Sequence, residues 1–362
     1  MDINLVATID SSGYGVTGLN VLKALEHAGH EVAFFPRPVR SHEHRLDLED
    51  TAMLLRCLRR QRGMNMLAPC VRISTEDDMT LFAGRGARCG FAFFDTTELT
   101  EVERRHLSTV DRVFIASEWA RDVAVANGID ADLLHKVPLG VDRSMFTPAD
   151  SPGDGPTVFL HVGAWQRRKG QSVLLEAFAR AFRPGDSVEL RLLSSNPLSR
   201  LGDRWIDECR ASPMRDHITV LPRVRDHHQI AELMQRADCG VYPSRSEAWN
   251  LEPLEMLACG RHVIATNFAG HTEFLDHGNA LLIDIDELEP ANDPVWMPIF
   301  GTRKTGEWAH LGEHQIDQLV AHLRSVHARK QGGELTVNEA GIRTAERYSW
   351  DGTARAIVAG LP

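Results

Sequence analysis

The chain has 362 residues, 43% of them hydrophobic and 25% charged, with a net charge of −10. This is the composition of a soluble globular protein with room for two domains and two cores. It argues against a uniformly basic nucleic-acid binder, and no apolar run reaches the roughly 18–20 residues that cross a bilayer.

The start, Met1-Asp2-Ile3-Asn4, has no basic region followed by a long apolar core. We therefore expect no signal peptide and a cytoplasmic location. The six cysteines are scattered without a C-x-x-C pair. Buried reduced thiols, rather than a disulfide framework or a zinc site, are the expectation.

Asn4 to Ile9 reads as a strand and Val16 to Ala28 as a helix, with Leu19, Leu22 and Leu25 three residues apart. Between them, Gly13-Tyr14-Gly15-Val16-Thr17-Gly18 matches G-x-G-x-x-G. In that context backbone N–H groups can hold a diphosphate, and the glycines also let strand and helix pack closely. A nicotinamide site wants an acid about 20 residues on. Here the next strand, His30 to Pro36, ends at Arg37, which suits a 2′-phosphate instead. Leu48 to Arg62 reads as a helix carrying a basic face from Leu55 to Arg62, either solvated or set against an anionic partner. Strands follow at Met66 to Ile73, Arg88 to Phe94 and Val110 to Ala116, then a helix through Asn127. Asp95 and Glu98 stand just past a strand end, as candidates for acceptor binding or for capping the next helix.

Thr147 to Pro156 has three prolines, two glycines and no apolar period, which makes it the expected linker. The alternation then restarts. Strands are expected at Thr157 to Val162, Val188 to Leu193, Ile218 to Leu221, Gly240 to Tyr242, His262 to Thr266 and Ala280 to Ile285. Helices fall at Ser172 to Phe182, Gln229 to Arg236, Leu251 to Cys259 and Asn338 to Tyr348. Two consecutive doubly wound α/β domains result, over 1–150 and 151–340, with closing helices over 341–362.

Two acids punctuate the second domain. Glu247 and Glu255 enclose seven residues, the first in a strand-to-helix loop and the second about one turn into the helix. Carboxylates at the carboxyl end of a parallel strand sit where α/β folds bind ligands, and can accept hydrogen bonds from sugar diols. Upstream, Gly163 to Gly170 carries Arg167, Arg168 and Lys169 before a helix. Cations at a helix start stabilise negative charge growing on a diphosphate.

The run Pro243-Ser244 through Gly260 resembles the E-x7-E motif of family-four retaining glycosyltransferases (group 1 glycosyltransferases). It keeps Pro243, Ser244, Glu247, Leu251, Leu254, Glu255, Ala258 and Gly260. Val162 to Gly170 resembles the family's G-x-x-x-x-x-K-G segment, with Lys169 on the family lysine. Ala164 stands where the family has arginine, so Arg168, or failing it Arg167, takes that place. Ser117-Glu118-Trp119, Pro138 to Asp142, Pro222 to Asp226, Ala265 to Glu273 and Tyr348-Ser349-Trp350 resemble further family segments. Ala248-Trp249-Asn250 replaces a Gly-aromatic-Gly stretch, and Glu252 stands where proline is common.

The resemblance implies the GT-B architecture, two Rossmann-like domains facing a central cleft, with the closing helices returning to the first domain. It implies metal-independent transfer from a nucleotide diphosphate sugar to an acceptor hydroxyl, with retention and without a further cofactor. Glu247 would hold sugar hydroxyls and Glu255 the ribose. Lys169 and Arg168 would meet the diphosphate, and Gly13, Gly15, Ser246, Trp249, Asn250, Leu251 and Val224 would line the donor. Nucleic acid is not the favoured acceptor, given the charge of −10. The rival readings are an NADP-dependent oxidoreductase using Gly13 to Gly18 with Arg37, and a non-catalytic sugar-nucleotide binder. The D-x-D pairs at Asp130-Ala131-Asp132 and Asp284-Ile285-Asp286 are short matches in a chain with 50 acids and lie away from the motifs above, and His42-Glu43-His44 and His227-His228 lack a third ligand at metal spacing, so no metal site is expected.

Overall fold

The computed structural model describes residues 1–37, 46–75, 78–150, 153–194, 204–224, 226–293 and 305–362. His42-Glu43-His44 lies outside them. The chain divides into two units, Met1–Gly140 with Tyr348–Pro362, and Val141–Arg347.

The first unit has six parallel strands, β1 (Asp2–Ala7), β2 (Glu31–Pro36), β3 (Cys70–Ser74), β4 (Arg88–Ala92), β5 (Arg112–Ile115) and β6 (Leu134–Lys136). Their order is β2-β1-β3-β4-β5-β6. Leu5, Phe34, Val71, Phe91 and Phe114 are buried. These apolar runs are expected where helices cover both faces of a parallel sheet. The helices are α1 (Gly13–His27), α2 (Leu48–Arg60), α3 (Glu101–Leu107), α4 (Glu118–Ala126) and the chain's last helix, Trp350–Ala359.

That last helix joins the first unit for visible reasons. A Cβ on Gly140 would stand 2.2 Å from the carbonyl carbon of Ser349 and the nitrogen of Trp350, so only glycine permits this contact. Thr353 Oγ1 donates to the Pro138 carbonyl at 2.8 Å, and Ser349 caps the helix by accepting from Gly352.

The second unit repeats the plan with β7 (Thr157–Val162), β8 (Val188–Leu193), β9 (Ile218–Val220), β10 (Cys239–Tyr242), β11 (His262–Thr266) and β12 (Leu281–Ile283). These six pair in parallel in the order β12-β11-β10-β7-β8-β9. Its helices are α5 (Gln171–Ala181), α6 (Arg204–Ala211), α7 (His227–Gln235), α8 (Leu251–Ala258), α9 (Glu313–Gln331) and α10 (Glu339–Arg347). Phe159, Leu174, Phe178, Leu190, Val241, Ile264, Leu319 and Leu323 share its core.

Three features differ from expectation. The break falls after Gly140, ten residues before the expected one, because the first half of the presumed linker is fastened to the second unit. Ala149 donates to the Cys259 carbonyl at 3.3 Å, and Gln235 donates to Thr147. The expected closing segment 341–362 is split: α10 packs on α8, and only the last helix belongs with the first unit. Finally, β6, α6, α9 and the antiparallel pair β13 (Leu288–Pro290) and β14 (Glu307–Ala309) were not expected. The signal for α9 was present, since Ile316, Leu319, Val320, Leu323 and Val326 recur at helical spacing and are all buried.

A Cβ on Gly18 would meet the Thr8 carbonyl at 2.3 Å, whereas one on Gly13 meets nothing within 4 Å. Gly18→Ala should therefore lower the stability of the first unit by about 2 kcal/mol or more. Gly13→Ala should stay within about 0.5 kcal/mol of the parent. Urea unfolding of the two variants side by side checks this.

Candidate active site

Strand β7 leads to β8 on one side, while its other neighbour, β10, leads to β11. The strand order thus reverses between β7 and β10, where open α/β sheets bind ligands beyond the carboxyl ends of their strands. Three loops meet there, after β7, β10 and β11.

The loop after β7 turns through Arg167–Lys169 and enters α5 at Gly170, whose φ of 73° is left-handed. A Cβ on Gly170 would lie 2.0 Å from the Pro243 carbonyl, so this loop touches the one after β10 backbone to backbone. Arg245 N–H donates to the Arg168 carbonyl at 2.6 Å. The loop after β11 closes the third side. Gly270 N–H donates to the Glu247 carbonyl at 2.8 Å, and a Cβ on Gly270 would sit 2.5 Å from the Ala248 carbonyl oxygen.

Glu247 is buried at this junction. Its Oε2 lies 2.5 Å from Arg168 NH1 and its Oε1 2.8 Å from Lys169 Nζ. Burial alone would push its carboxyl up. The charges of Arg168 and Lys169 outweigh that and hold it well below the usual carboxylate range. Two cations around one carboxylate leave one surplus positive charge beside the start of α5, which no side chain caps. This arrangement suits a phosphate. Arg168 also donates to the Ser246 carbonyl at 2.5 Å. Arg167 turns away to Glu289, 3.1 Å from its carboxylate. Of the two arginines, Arg168 is the one that faces the acid.

Asn250 closes the loop at φ 74°, a left-handed value uncommon outside glycine. Although it occupies the N-cap of α8, its side chain makes no cap hydrogen bond. It reaches Lys169 Nζ (3.3 Å) and His271 Nε2 (3.0 Å) instead. A second buried histidine, His161, lies 2.7 Å from the Val241 carbonyl and 3.1 Å from Gln171 Nε2. Burial lowers both imidazoles to about 4. Neither histidine figured among the expected site residues, though His271 stands inside the run Ala265 to Glu273.

Glu255 lies in the second turn of α8, 7% exposed. Among the described residues its carboxylate has no hydrogen-bond or ion-pair partner. Burial, and then the neighbouring Glu252, raise it well above the usual range. Ser246 is buried with a hydroxyl that has no partner among the described residues. Leu251 opens α8, and Val224 follows β9, both partly exposed. Trp249 departs from expectation: it is 2% exposed and packs on Phe274 with ring centroids 5.0 Å apart, so its indole belongs to the interior.

In the first unit, Gly15 is explained by packing, since its Cβ would meet Asp10 N at 2.2 Å. Gly13 has open space beside it. Arg37 is paired with Asp78 and bonded to Ser74, and buried Arg72 shares the same carboxylate at 2.7 Å. This leaves the oxidoreductase reading, which needs Arg37 for a 2′-phosphate, without support. Asp95 is partly buried and Glu98 exposed. The cap of α3 is Thr100, in a capping box with Glu103, and neither of those acids. Asp284 bonds Asn267 and Asp286 pairs with His314. Among the described residues no three His, Cys, Asp or Glu side chains cluster as metal ligands. All six cysteines are buried and unbridged.

The two Rossmann-like parallel-sheet units match the GT-B architecture of solved glycosyltransferase structures. Residues 156–292, the part of the chain that holds the site, match the family model of group 1 glycosyl transferases. Curated relatives include D-inositol 3-phosphate glycosyltransferases. One from Pseudarthrobacter chlorophenolicus is 34% identical over 178 residues, covering 46% of this chain and 42% of that protein. Another from Xylanimonas cellulosilytica is 31% identical over 202 residues, covering 51% and 46%. The chain thus spans less than half the length of these relatives. Among solved structures, sucrose-phosphate synthase from Thermosynechococcus elongatus superposes with a TM-score of 0.71 at 16% identity, covering 99% of this chain and 98% of that one. Anabaena Alr3699/HepE in complex with UDP-glucose gives 0.70 at 15%, covering 100% and 99%. These likenesses carry the fold. Among the described residues no helix is long and apolar enough to cross a membrane.

The buried histidines make a stability prediction. Their folded pKa of about 4 lies below the ordinary 6.5. The unfolded chain therefore binds more protons between those values. Stability is full above pH 6.5 and is lost as pH falls toward 4. By linkage each histidine should remove about 2 kcal/mol at pH 5. Urea unfolding at pH 7 and pH 5 should show this, and His161→Gln should lose less on acidification than the parent.

Proposed function

We infer that this protein is a retaining glycosyltransferase that moves a sugar from a nucleotide diphosphate donor to an acceptor hydroxyl. The observation that carries the reading is Glu247 held ionised between Arg168 and Lys169 at the β7–β10 switch point. A sugar–diphosphate bond breaks with negative charge growing on the departing phosphate. The surplus positive charge of Lys169 and Arg168, just before α5, stabilises that charge without a metal. Glu247 offers acceptor oxygens to sugar hydroxyls. Glu255, buried with no hydrogen-bond or ion-pair partner among the described residues, meets a ribose diol, which would satisfy it. Asp95 and Glu98 remain candidates for acceptor contact.

Retention follows from attack on the face from which the phosphate leaves, with that phosphate taking the acceptor's proton. No enzyme nucleophile and no cofactor beyond the donor are required. The similarity to D-inositol 3-phosphate glycosyltransferases supports sugar transfer to a hydroxyl. The net charge of −10 disfavours nucleic acid as acceptor. Six buried unbridged thiols fit the reducing cytoplasm.

A thermal-shift screen over UDP-glucose, GDP-mannose, ADP-glucose and TDP-glucose identifies the donor. At 100 times its dissociation constant the right one stabilises by about 2.7 kcal/mol. Glu247→Ala should abolish transfer and slow donor hydrolysis while leaving the fold intact. Undiminished turnover by that variant would sink the assignment, and saturation without any turnover by the parent would make the protein a binder only.

A further inference from the structure

Asn250 and His271 pose a question that the donor site alone does not answer. Asn250 holds a left-handed backbone, which is strained for a non-glycine residue, and forgoes capping its own helix. Such strain persists only where surrounding contacts fix the residue, and here they fix it through one chain of hydrogen bonds.

The direction of every bond in that chain follows from one backbone carbonyl. His271 Nδ1 lies 3.1 Å from the Thr266 carbonyl oxygen, which can only accept. Thr266 Oγ1, 3.2 Å from the same nitrogen, already donates to the Ser244 carbonyl at 2.6 Å. The imidazole proton therefore sits on Nδ1, and Nε2 is bare. A bare Nε2 can only accept, so the Asn250 NH2 must face it at 3.0 Å. The amide oxygen is then turned to Lys169 Nζ at 3.3 Å, and that ammonium reaches Glu247 at 2.8 Å. All four side chains are buried, and His271 has no exposed surface.

We propose that Asn250 and His271 are a positioning pair, which aims the Lys169 ammonium through a neutral, singly protonated imidazole. Neither touches the reacting atoms. The pair holds the cation against the pull of Glu247, at the place where charge develops on a diphosphate. It adds no charge of its own, so the site keeps its one surplus cation. The proposal rests on the glycosyltransferase reading, since it assigns Lys169 a charge to stabilise.

Steady-state kinetics with UDP-glucose, and with the other three donors of the screen where UDP-glucose is not turned over, test it. Asn250→Gly removes the amide and suits the left-handed backbone. It should keep the parent's thermal midpoint within a few degrees, yet lower kcat at least tenfold with KM for the donor changed less than threefold. His271→Asn keeps a donor near Nδ1 but loses the acceptor at Nε2, and should fall similarly. His271→Gln returns an acceptor at the Nε2 place and should stay within threefold of the parent. The double variant Asn250→Gly/His271→Asn should be no slower than either single one, because both break the same chain. Parent-like kcat in Asn250→Gly would overturn the proposal, as would equal losses in His271→Gln and His271→Asn, or losses that multiply in the double variant. Glu247→Ala separates the two levels. If it is inactive while the positioning variants match the parent, only the proposal fails. If it turns over like the parent, or if the parent turns over no donor, the glycosyltransferase reading fails and takes the proposal with it.

Discussion

The site depends on a buried carboxylate kept ionised by two cations. Taking one charge out of water costs several kcal/mol, and only close opposite charge and good hydrogen bonds offset it. Glu247 has the close opposite charge, with Arg168 at 2.5 Å and Lys169 at 2.8 Å. Because the cost is high, the geometry cannot be loose. Three loops fix it at the backbone level, and the fixing explains residues that have no chemistry. Gly170 lets the β7 loop press on Pro243, and Gly270 lets the β11 loop press on Ala248. Arg245, itself buried, ties Arg167's carbonyl at 2.7 Å to Glu289, also at 2.7 Å. The ion triad and the glycine contacts are one structure, seen as charge and as shape.

Much of this was legible in the sequence because its signals are local. Apolar runs alternating with helical spacing gave the two sheets, and three of the second unit's six parallel strands keep the expected bounds. The pair Glu247 and Glu255 could be placed in a loop and a helix because Pro243-Ser244 and Leu251 mark the junction. What remained illegible depends on contacts between distant parts of the chain. Whether Arg167 or Arg168 faces the acid is a matter of which way a three-residue turn rolls, and Glu289, 122 residues away, draws Arg167 aside. Arg37 looked suited to a phosphate until Asp78, 41 residues on, took it. Trp249 looked like part of a donor surface, but Phe274 gives its ring a place in the core.

The departures from family wording prove more informative than the matches. Where a glycine is expected the chain has Asn250, and the backbone still adopts a glycine-like φ of 74°. A side chain on that backbone has to be accommodated, and His271 is what accommodates it. The two residues are 21 apart in sequence and on different loops. Neither alone is a signal. The sequence shows Asn250 as a departure and His271 inside a run that resembles the family's, and only the fold makes them partners.

Glu247 and Glu255 also divide the motif's work by environment. Both are buried, so desolvation pushes both carboxyls up. Arg168 and Lys169 reverse that push for Glu247, while Glu252 adds to it for Glu255. One acid is thus held as an anion and the other is drawn toward the neutral acid. Environments that drive two carboxyls apart are how one site assigns them separate tasks. An anion between two cations can accept from sugar hydroxyls without losing its charge as the phosphate departs. A carboxyl with no cation beside it is a poor place for charge, but it can both accept from and, when protonated, donate to a neutral diol. The spacing of the pair says only that both can lie near one ligand. The cations on one side of it, and Glu252 on the other, set the two carboxyls in different charge states.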